Sequence, residues 1–354
     1  VNPWEACPVR LGIDSFVSAV TDPETDQVVS PVDRVAHLLE EVTRADEVGL
    51  DHFGIGEHHR SEYYDSAPAV LLAAAAARTS RIRLNSAVAV LSAADPVRVF
   101  QEFATLDLVS RGRTDLVVGR GSFTEAFPLF GLSLRDYDTL FSEKLDLLLK
   151  IRDSVTVTWS GEHRPALTGQ AVYPRPVQDP LPIWLGVGGT PESFARAGLL
   201  GLPLMVAIIG GQPRQFAPLV DLYRRAGAQA GHPPEQLKVG VHVFGYVADT
   251  DQRAADEFFP GWLEIFTRIA QERGGARPSR AGYDATCGPS GAYFIGAPDT
   301  VAAKLLRLSA DLGGVDRVSL QMTNVRLAHH ALLHGIELLG TAVAPIVREA
   351  LGSE

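Results

Sequence analysis

Short apolar runs and segments of helical periodicity alternate along almost the whole of this 354-residue chain, a rhythm that few folds accommodate. Val9 to Phe16 is short and apolar. Val32 to Gly49 then places Val35, Leu38, Leu39, Val42, Ala45 and Val48 at helical spacing, and Phe53 to Gly56 is again short and apolar. That is one strand–helix–strand unit. The pattern continues with a helix at 67–79, a strand at 81–91, a helix at 96–109, a strand at 114–120 and a helix at 137–153. Strands follow at 182–187, 203–209, 237–247 and 315–322, with helices at 191–200, 213–230, 251–273 and near 332–350. Strands each followed by a helix predict an α/β chain folded as a (β/α)8 TIM barrel. A doubly wound open sheet usually has fewer strands and a glycine-rich first loop. The first loop here, Ser15-Phe16-Val17-Ser18-Ala19, has no such fingerprint.

Two segments interrupt the rhythm. Ser154 to Pro180 reads as a small hairpin inserted before strand 5. Residues 274–314 hold a Gly/Pro/Arg-rich loop and a helix starting near Pro298, inserted before strand 8. The whole of 1–354 reads as one barrel domain, and 46% hydrophobic residues are enough for a sizeable core. A net charge of −10 without a long basic run argues against a nucleic-acid footprint or a polybasic membrane patch. Cys7 and Cys287 are too few for a zinc knuckle or a disulfide framework, although one bridge between them stays open. Val1 to Glu5 does not resemble a signal peptide, and the apolar stretch from Ala67 to Ala77 is about half of the ~20 residues a span requires. A soluble, cytoplasmic protein is expected.

The strand ends carry the chemistry. Asp51-His52-Phe53-Gly54-Ile55-Gly56 runs into Glu57, His58 and His59, and barrels keep their catalytic groups at such ends. Imidazole suits proton transfer near neutral pH, and neighbours on a strand cannot share a face, so one of the two histidines is expected to be structural. Arg120 ends strand 4 and is followed by Gly121 and Ser122; its planar fork suits an anion, and a salt bridge to Glu125 is the structural alternative. Gly186-Val187-Gly188-Gly189-Thr190-Pro191 joins strand 5 to a helix, with Thr190 as candidate N-cap and a helix N-terminus that favours phosphate. Gly240, His242 and Phe244 share one face of strand 7, where His242 is equally a substrate-side or a core histidine. His330 and His334 have metal-ligand spacing, but no third ligand is evident and a solvated helix face fits them better.

With these residues in place, the chain resembles the bacterial luciferase-like monooxygenase family of flavin-dependent barrels. The motifs are Glu57-His58-His59, Asp95-Pro96-Val97-Arg98, Leu106-Asp107-Leu108-Val109-Ser110-Arg111-Gly112-Arg113 and Gly119-Arg120-Gly121, in the family's order and spacing along nearly the whole length. The resemblance implies an oxidoreductase that uses reduced FMN and oxygen on a small organic substrate. A deazaflavin coenzyme carrying out hydride transfer is the alternative. It implies proton transfer by His58, flavin-ring contacts from the backbone of Ala87 and Val88, often through a non-prolyl cis peptide, and phosphate binding by Arg120, Gly121 and Ser122. Gly186, Val187, Gly188, Gly189 and Thr190 would form the other half of the phosphate site, after strand 5. It further implies a separate NAD(P)H:flavin reductase as partner, a homodimer through the helices after strands 2 and 3, and a lid made of 154–180 and 274–290. Gly119 stands where the luciferase proper has a thiol, so light emission and aldehyde specificity are not implied. Phe16, Phe123 and Phe127 are candidates for an apolar pocket. Two rival readings are a metal-dependent barrel hydrolase and a non-catalytic flavin-binding relative. The first is disfavoured because Gly12-Ile13-Asp14-Ser15-Phe16 lacks the expected histidine pair.

Overall fold

In the computed structural model, which describes residues 9–352, the apolar runs become strands of one closed parallel barrel. Its first strands are β1 (Arg10–Ser15), β2 (His52–Ile55) and β3 (Arg83–Ser86), followed by the short β4 (Ala89–Val90) and β5 (Thr114–Gly119). A hairpin of β6 (Thr156–Trp159) and β7 (Leu167–Ala171) intervenes before β8 (Ile183–Val187), β9 (Leu204–Ile208) and β10 (Val239–Val247). The short β11 (Phe294–Gly296) and then β12 (Arg317–Gln321) complete the set. Parallel pairing runs β1, β2, β3, β5, β8, β9, β10, β12 and back to β1, which closes the barrel. The expected single strand 81–91 is broken: the Ala87–Val88 peptide is cis, and β4 beyond it pairs with β5. The three-residue β11, which extends the sheet beside the end of β10, is too short to leave a periodic signal.

Alternation along the strands divides the side chains. Leu11, Ile13, Phe53, Leu84, Leu116, Val118, Leu185, Val206, Val241 and Leu320 are buried in one cluster with Leu38, Val42, Leu72, Phe103, Leu148, Phe194, Val220 and Leu305 of the helices. Each such burial stabilises by about 1.5–3 kcal/mol. The outer helices begin as the sequence suggested. Those at Pro31–Glu47, Pro68–Ala76, Pro96–Ser110 and Pro191–Leu199 all carry proline in the first turn. Asp95 caps the third of these by accepting from the backbone of Val97 (2.9 Å) and Arg98 (3.2 Å). The same helix stops at Arg111 and Gly112, both left-handed. Arg113 then ties the turn to the carbonyls of Ala76, Thr79 and Ile82, so the Asp107-to-Arg113 motif is architectural.

The hairpin β6–β7 packs outside the barrel. Trp159 donates to Asp146 (2.8 Å), Arg164 pairs with Asp95 (2.7 Å), and Gln101 donates to the carbonyl of Tyr173 (2.9 Å). The C-terminal helical run His329–Ala350 is long and apolar enough to cross a membrane by length and composition, and half of its most apolar window is buried in the fold. Val1 to Glu5 and Cys7 lie outside the described residues.

Inside, the N-terminal end of the barrel is closed by charge. Asp115 accepts from Arg83 (2.6 and 3.2 Å) and from Arg317 (3.2 Å), whose guanidinium lies 4.8 Å from the centre of the Trp184 ring. Burial pushes the Asp115 carboxyl up, but the hydrogen bond and charge of Arg83 with the charge of Arg317 outweigh it and hold it below the usual range. Beside this layer His52 is buried and its ionisation is driven well below normal by burial and then by Arg317, so it stays neutral and bonds Ser319 (2.8 Å). Removing one partner of such a buried cluster leaves uncompensated charge. Asp115→Ala is therefore expected to cost about 3–5 kcal/mol, read as a lowered denaturant midpoint; a loss under about 1 kcal/mol would mean that the layer is hydrated.

Candidate active site

The opposite end of the barrel opens into a cavity of about 520 Å³. Strand alternation delivers Asp14 and Phe16 from β1 and its exit, Asn85 from β3, His242 and Phe244 from β10 and Gln321 from β12 to its wall. Neither 154–180 nor 274–290 contributes a lining residue, which corrects the expected lid. The mouth is covered instead by the loops after β2 and β5 and by the long helix Asp251–Arg273, through Ile265, Phe266, Ile269 and Arg273. Phe16 and Phe123 line the cavity as expected, whereas Phe127 is buried against Tyr137, 5.5 Å between ring centres, and does not.

His58 is the better placed of the adjacent histidines. Its Nδ1 lies 2.8 Å from Oδ2 of the fully buried Asp65, whose Oδ1 accepts from the His58 backbone (3.1 Å). Burial pushes the Asp65 carboxyl up and the His58 bond pulls against it. A carboxylate at Nδ1 fixes that nitrogen as the protonated one and leaves Nε2 for the cavity. Aromatic rings hold the imidazole, with Phe16 at 4.7 Å and Tyr63 at 4.5 Å; burial pushes the Tyr63 phenol up to about 12, so it stays protonated. His59 also borders the cavity, but Glu57 holds its Nε2 (3.2 Å) while bonding the backbone of Val90 (2.8 Å). His242 is likewise in the wall, its Nδ1 2.8 Å from Asp14, and it lies nearly parallel to Phe16 (13°). His330 and His334, by contrast, face different carboxylates, Glu24 and Asp249, on the surface.

The rim opposite carries Arg120 and the glycine turn. Arg120 reaches Asp138 (2.6 Å) and the Ser193 hydroxyl (3.4 Å) and lies over the Tyr137 ring. Glu125, the carboxylate considered for it, is taken by Arg60 (2.6 Å). Gly121 is left-handed (φ 80°) and its carbonyl accepts from Tyr137 (2.7 Å), while that of Ser122 accepts from Arg273 (3.1 Å). Gly186, Val187, Gly188 and Thr190 are in the wall and Gly189 is not. Thr190 occupies the N-cap position of the helix Pro191–Leu199; its side chain makes no capping bond, while its carbonyl accepts from the Ser193 N–H (3.0 Å).

Between imidazole and rim stands Val88. A Cβ at Gly119 would meet its Cγ2 at 2.7 Å and one at Gly186 would meet its Cγ1 at 2.8 Å, so both glycines exist to admit this side chain. Packing against Val117, Trp184 and Met205 holds it there. Gly119 and Gly186 thus lack a side chain for the same steric reason.

Sequence reasoning missed Asp65, Tyr63 and Asp14 as partners, because their contacts with the histidines depend on loop closure and on pairing across the barrel. Ile265, Phe266 and Ile269 carried a usable signal, an apolar stripe at helical spacing opposite the polar face of their helix.

This arrangement is a closed parallel barrel with a carboxylate-backed histidine, an arginine-bearing rim and a largely apolar chamber between them. The chain belongs to the luciferase-like monooxygenase family, whose model matches residues 13–316. It is 26% identical to limonene 1,2-monooxygenase from Rhodococcus erythropolis over 89% of this chain and 82% of that one. Among solved structures, monooxygenase RslO1 from Streptomyces bottropensis superposes with a TM-score of 0.81 at 25% identity, covering 95% of this chain and 99% of that one. Two others share the fold alone. One is the oxygenating constituent of 3,6-diketocamphane monooxygenase from Pseudomonas putida in complex with FMN (TM-score 0.76, 20% identity, 96% and 98% covered). The other is an F420-dependent secondary alcohol dehydrogenase (TM-score 0.73, 18% identity, 96% and 99% covered). The first of these is a complex with FMN and the second an F420-dependent enzyme.

The covering helix is tied down by ions. Arg60 pairs with Glu62 (2.9 Å), Glu125 (2.6 Å) and Glu272 (2.5 Å), and Arg268 pairs with Glu62 (2.8 Å). Burial pushes Glu62 up, but hydrogen bonds from Arg60 and Arg268 bring it down to about 2, against an ordinary 4.5. Glu62 consequently contributes stability that is present above pH 4.5 and is lost as the pH falls toward 2. Acid unfolding followed by circular dichroism should be steeper across that window for the wild type than for Glu62→Gln. Parallel curves would remove the assignment.

Proposed function

We propose that this enzyme is an FMN-dependent monooxygenase that uses reduced flavin and O2 to oxidise a small organic substrate. The carrying observation is the rim, where Arg120, the Ser193 hydroxyl and an N-terminus left uncapped by Thr190 converge beside the glycine turn. Asp138, the partner of Arg120, is 74% exposed, so an arriving phosphate displaces a weak surface ion pair and gains a bidentate one. No atom lies within 4 Å of a Cβ built at Gly188 or Gly189, which leaves room for a phosphate against the backbone. Val88, seated in its two glycine notches, offers a flat surface for a ring. The residues thus fit FMN: Arg120, Gly121, Ser122 and the turn from Gly186 to Thr190 for the phosphate end, and Ala87 and Val88 for the ring.

Reduced FMN, when bound, supplies the electrons with which O2 is activated. The chain supplies the rest. His58 holds or releases a proton at Nε2, Asp65 fixes its ring and stabilises the charged form, and Phe16, Phe123 and Phe266 exclude water. A deazaflavin coenzyme is the second reading, since it brings the same kind of ring and a phosphate to the same rim. In either case the setting is cytoplasmic, and with FMN a separate NAD(P)H:flavin reductase delivers the reduced cofactor.

In anaerobic titration, wild-type protein is expected to bind reduced FMN, and Arg120→Ala to lose about 1.5–3 kcal/mol, roughly 10- to 150-fold in Kd. Binding of a deazaflavin but not of FMN would overturn the first reading. We also propose a homodimer through the helices Pro68–Ala76 and Pro96–Ser110, which leave Val70, Leu108 and Val109 exposed. Sedimentation should show a dimer that Val70→Glu with Val109→Glu dissociates; a monomeric wild type would sink it.

A further inference from the structure

Three imidazoles in the cavity wall are paired with carboxylates; His59 has its Nε2 taken by Glu57, whereas His58 and His242 are held at Nδ1. We infer that His242, backed by Asp14, is a second proton-accepting group that contacts the substrate, and that this substrate is an apolar molecule bearing an acidic hydroxyl, a phenol or an enol. It rests on the monooxygenase reading only for what becomes of the anion formed.

His242 Nδ1 lies 2.8 Å from Asp14 Oδ2, and both side chains are buried to within 7%. The carboxylate fixes the proton on Nδ1, so the neutral ring presents a lone pair at Nε2. Nε2 has no hydrogen-bond partner among the described residues and is not sealed off, and His242 is part of the cavity wall. A molecule meeting this atom must bring a donor. Buried acceptors line the same cavity: Gln321 gives its amide N–H groups to the carbonyl and hydroxyl of Thr323, and Asn85 gives one to the carbonyl of Ser86. Their amide oxygens and Asp14 Oδ1 are left without partners. An anionic substrate would face these oxygens, and the nearest guanidinium, Arg317, lies one layer below with its Nη1 on Asp115. The walls are apolar: Phe16 lies parallel to His242 at 5.8 Å, and Phe244 meets Phe266 at 5.7 Å. An imidazole takes protons effectively from hydroxyls of comparable acidity, which selects phenols and enols over aliphatic alcohols.

In the step itself the substrate O–H bond breaks, the proton passes to His242 Nε2, and the electron pair stays on the substrate oxygen. The imidazolium is then held by Asp14. The other charged groups near the pair are Arg317 below and the His58–Asp65 pair beyond Phe16. His58 is thereby left free for the cofactor side.

The test uses 4-nitrophenol, which is yellow only as its phenolate, with the flavin-free full chain. At a pH where the free probe is protonated, the wild type is expected to turn it yellow, lowering its apparent pKa by about one unit or more. His242→Gln should lose the colour change and His58→Gln should keep it. A probe that does not bind, binds colourless, or follows His58 instead overturns the inference. Should His242→Gln fail to fold, nitrogen-15 NMR of histidine-labelled wild type decides between the outcomes: the His242 ring must become doubly protonated with the probe bound, and a ring that stays neutral refutes the proposal. Parallel FMN titrations separate the two readings, since failure of FMN to bind would remove the flavin assignment without altering the colour change.

Discussion

The interaction on which the architecture depends is the pairing of Asp115 with Arg83 and Arg317 inside the barrel. A parallel barrel of this size must fill its interior with side chains, and this chain fills its N-terminal end with charge that is neutralised within one layer. Both guanidinium groups bond Asp115 in that layer, and neither makes a salt bridge to Asp14 one layer higher. Asp14 is left to His242, and the wall of Trp184, Met205 and Val117 stays apolar. Closing one end ionically thus determines what the open end can do.

The upper layer shows a division of labour between the two sides of the barrel. Strands β1, β3, β10 and β12 bring carboxylate, amide and imidazole inward, whereas β5, β8 and β9 bring valine, tryptophan, methionine and alanine. A flat, partly polar ring therefore has one face to lean on and one face to react from. Each histidine owes its usefulness to a carboxylate from elsewhere in the chain: Asp65 lies seven residues beyond His58, and Asp14 lies 228 residues from His242.

Much of this was legible in the residues. The barrel followed from alternation, the helix starts from proline and Asp95, and the site from strands ending in His58 and Arg120. What escaped followed different physics. Asp14 and His242 face each other only because closure brings β1 and β10 to either side of β12, and no local pattern encodes a pairing at that separation. The lid was assigned to insertions because they break the rhythm, yet Trp159 and Arg164 fasten the hairpin to outer helices. The helix that does cover the mouth looked like any other in the ring. Thr190 had the right type and position for a cap, but its side chain does not turn toward the helix.

The seating of Val88 between Gly119 and Gly186 makes three positions far apart in sequence behave as a single volume. No one of them can enlarge alone: a side chain at 119 or 186 needs a smaller residue at 88, and a larger residue at 88 has no notch left to enter. Substitutions there should be strongly non-additive, so a thiol placed at position 119 would require a smaller residue at position 88. Redesign of the chamber, or comparison of its variants, has to treat the trio as one heritable unit.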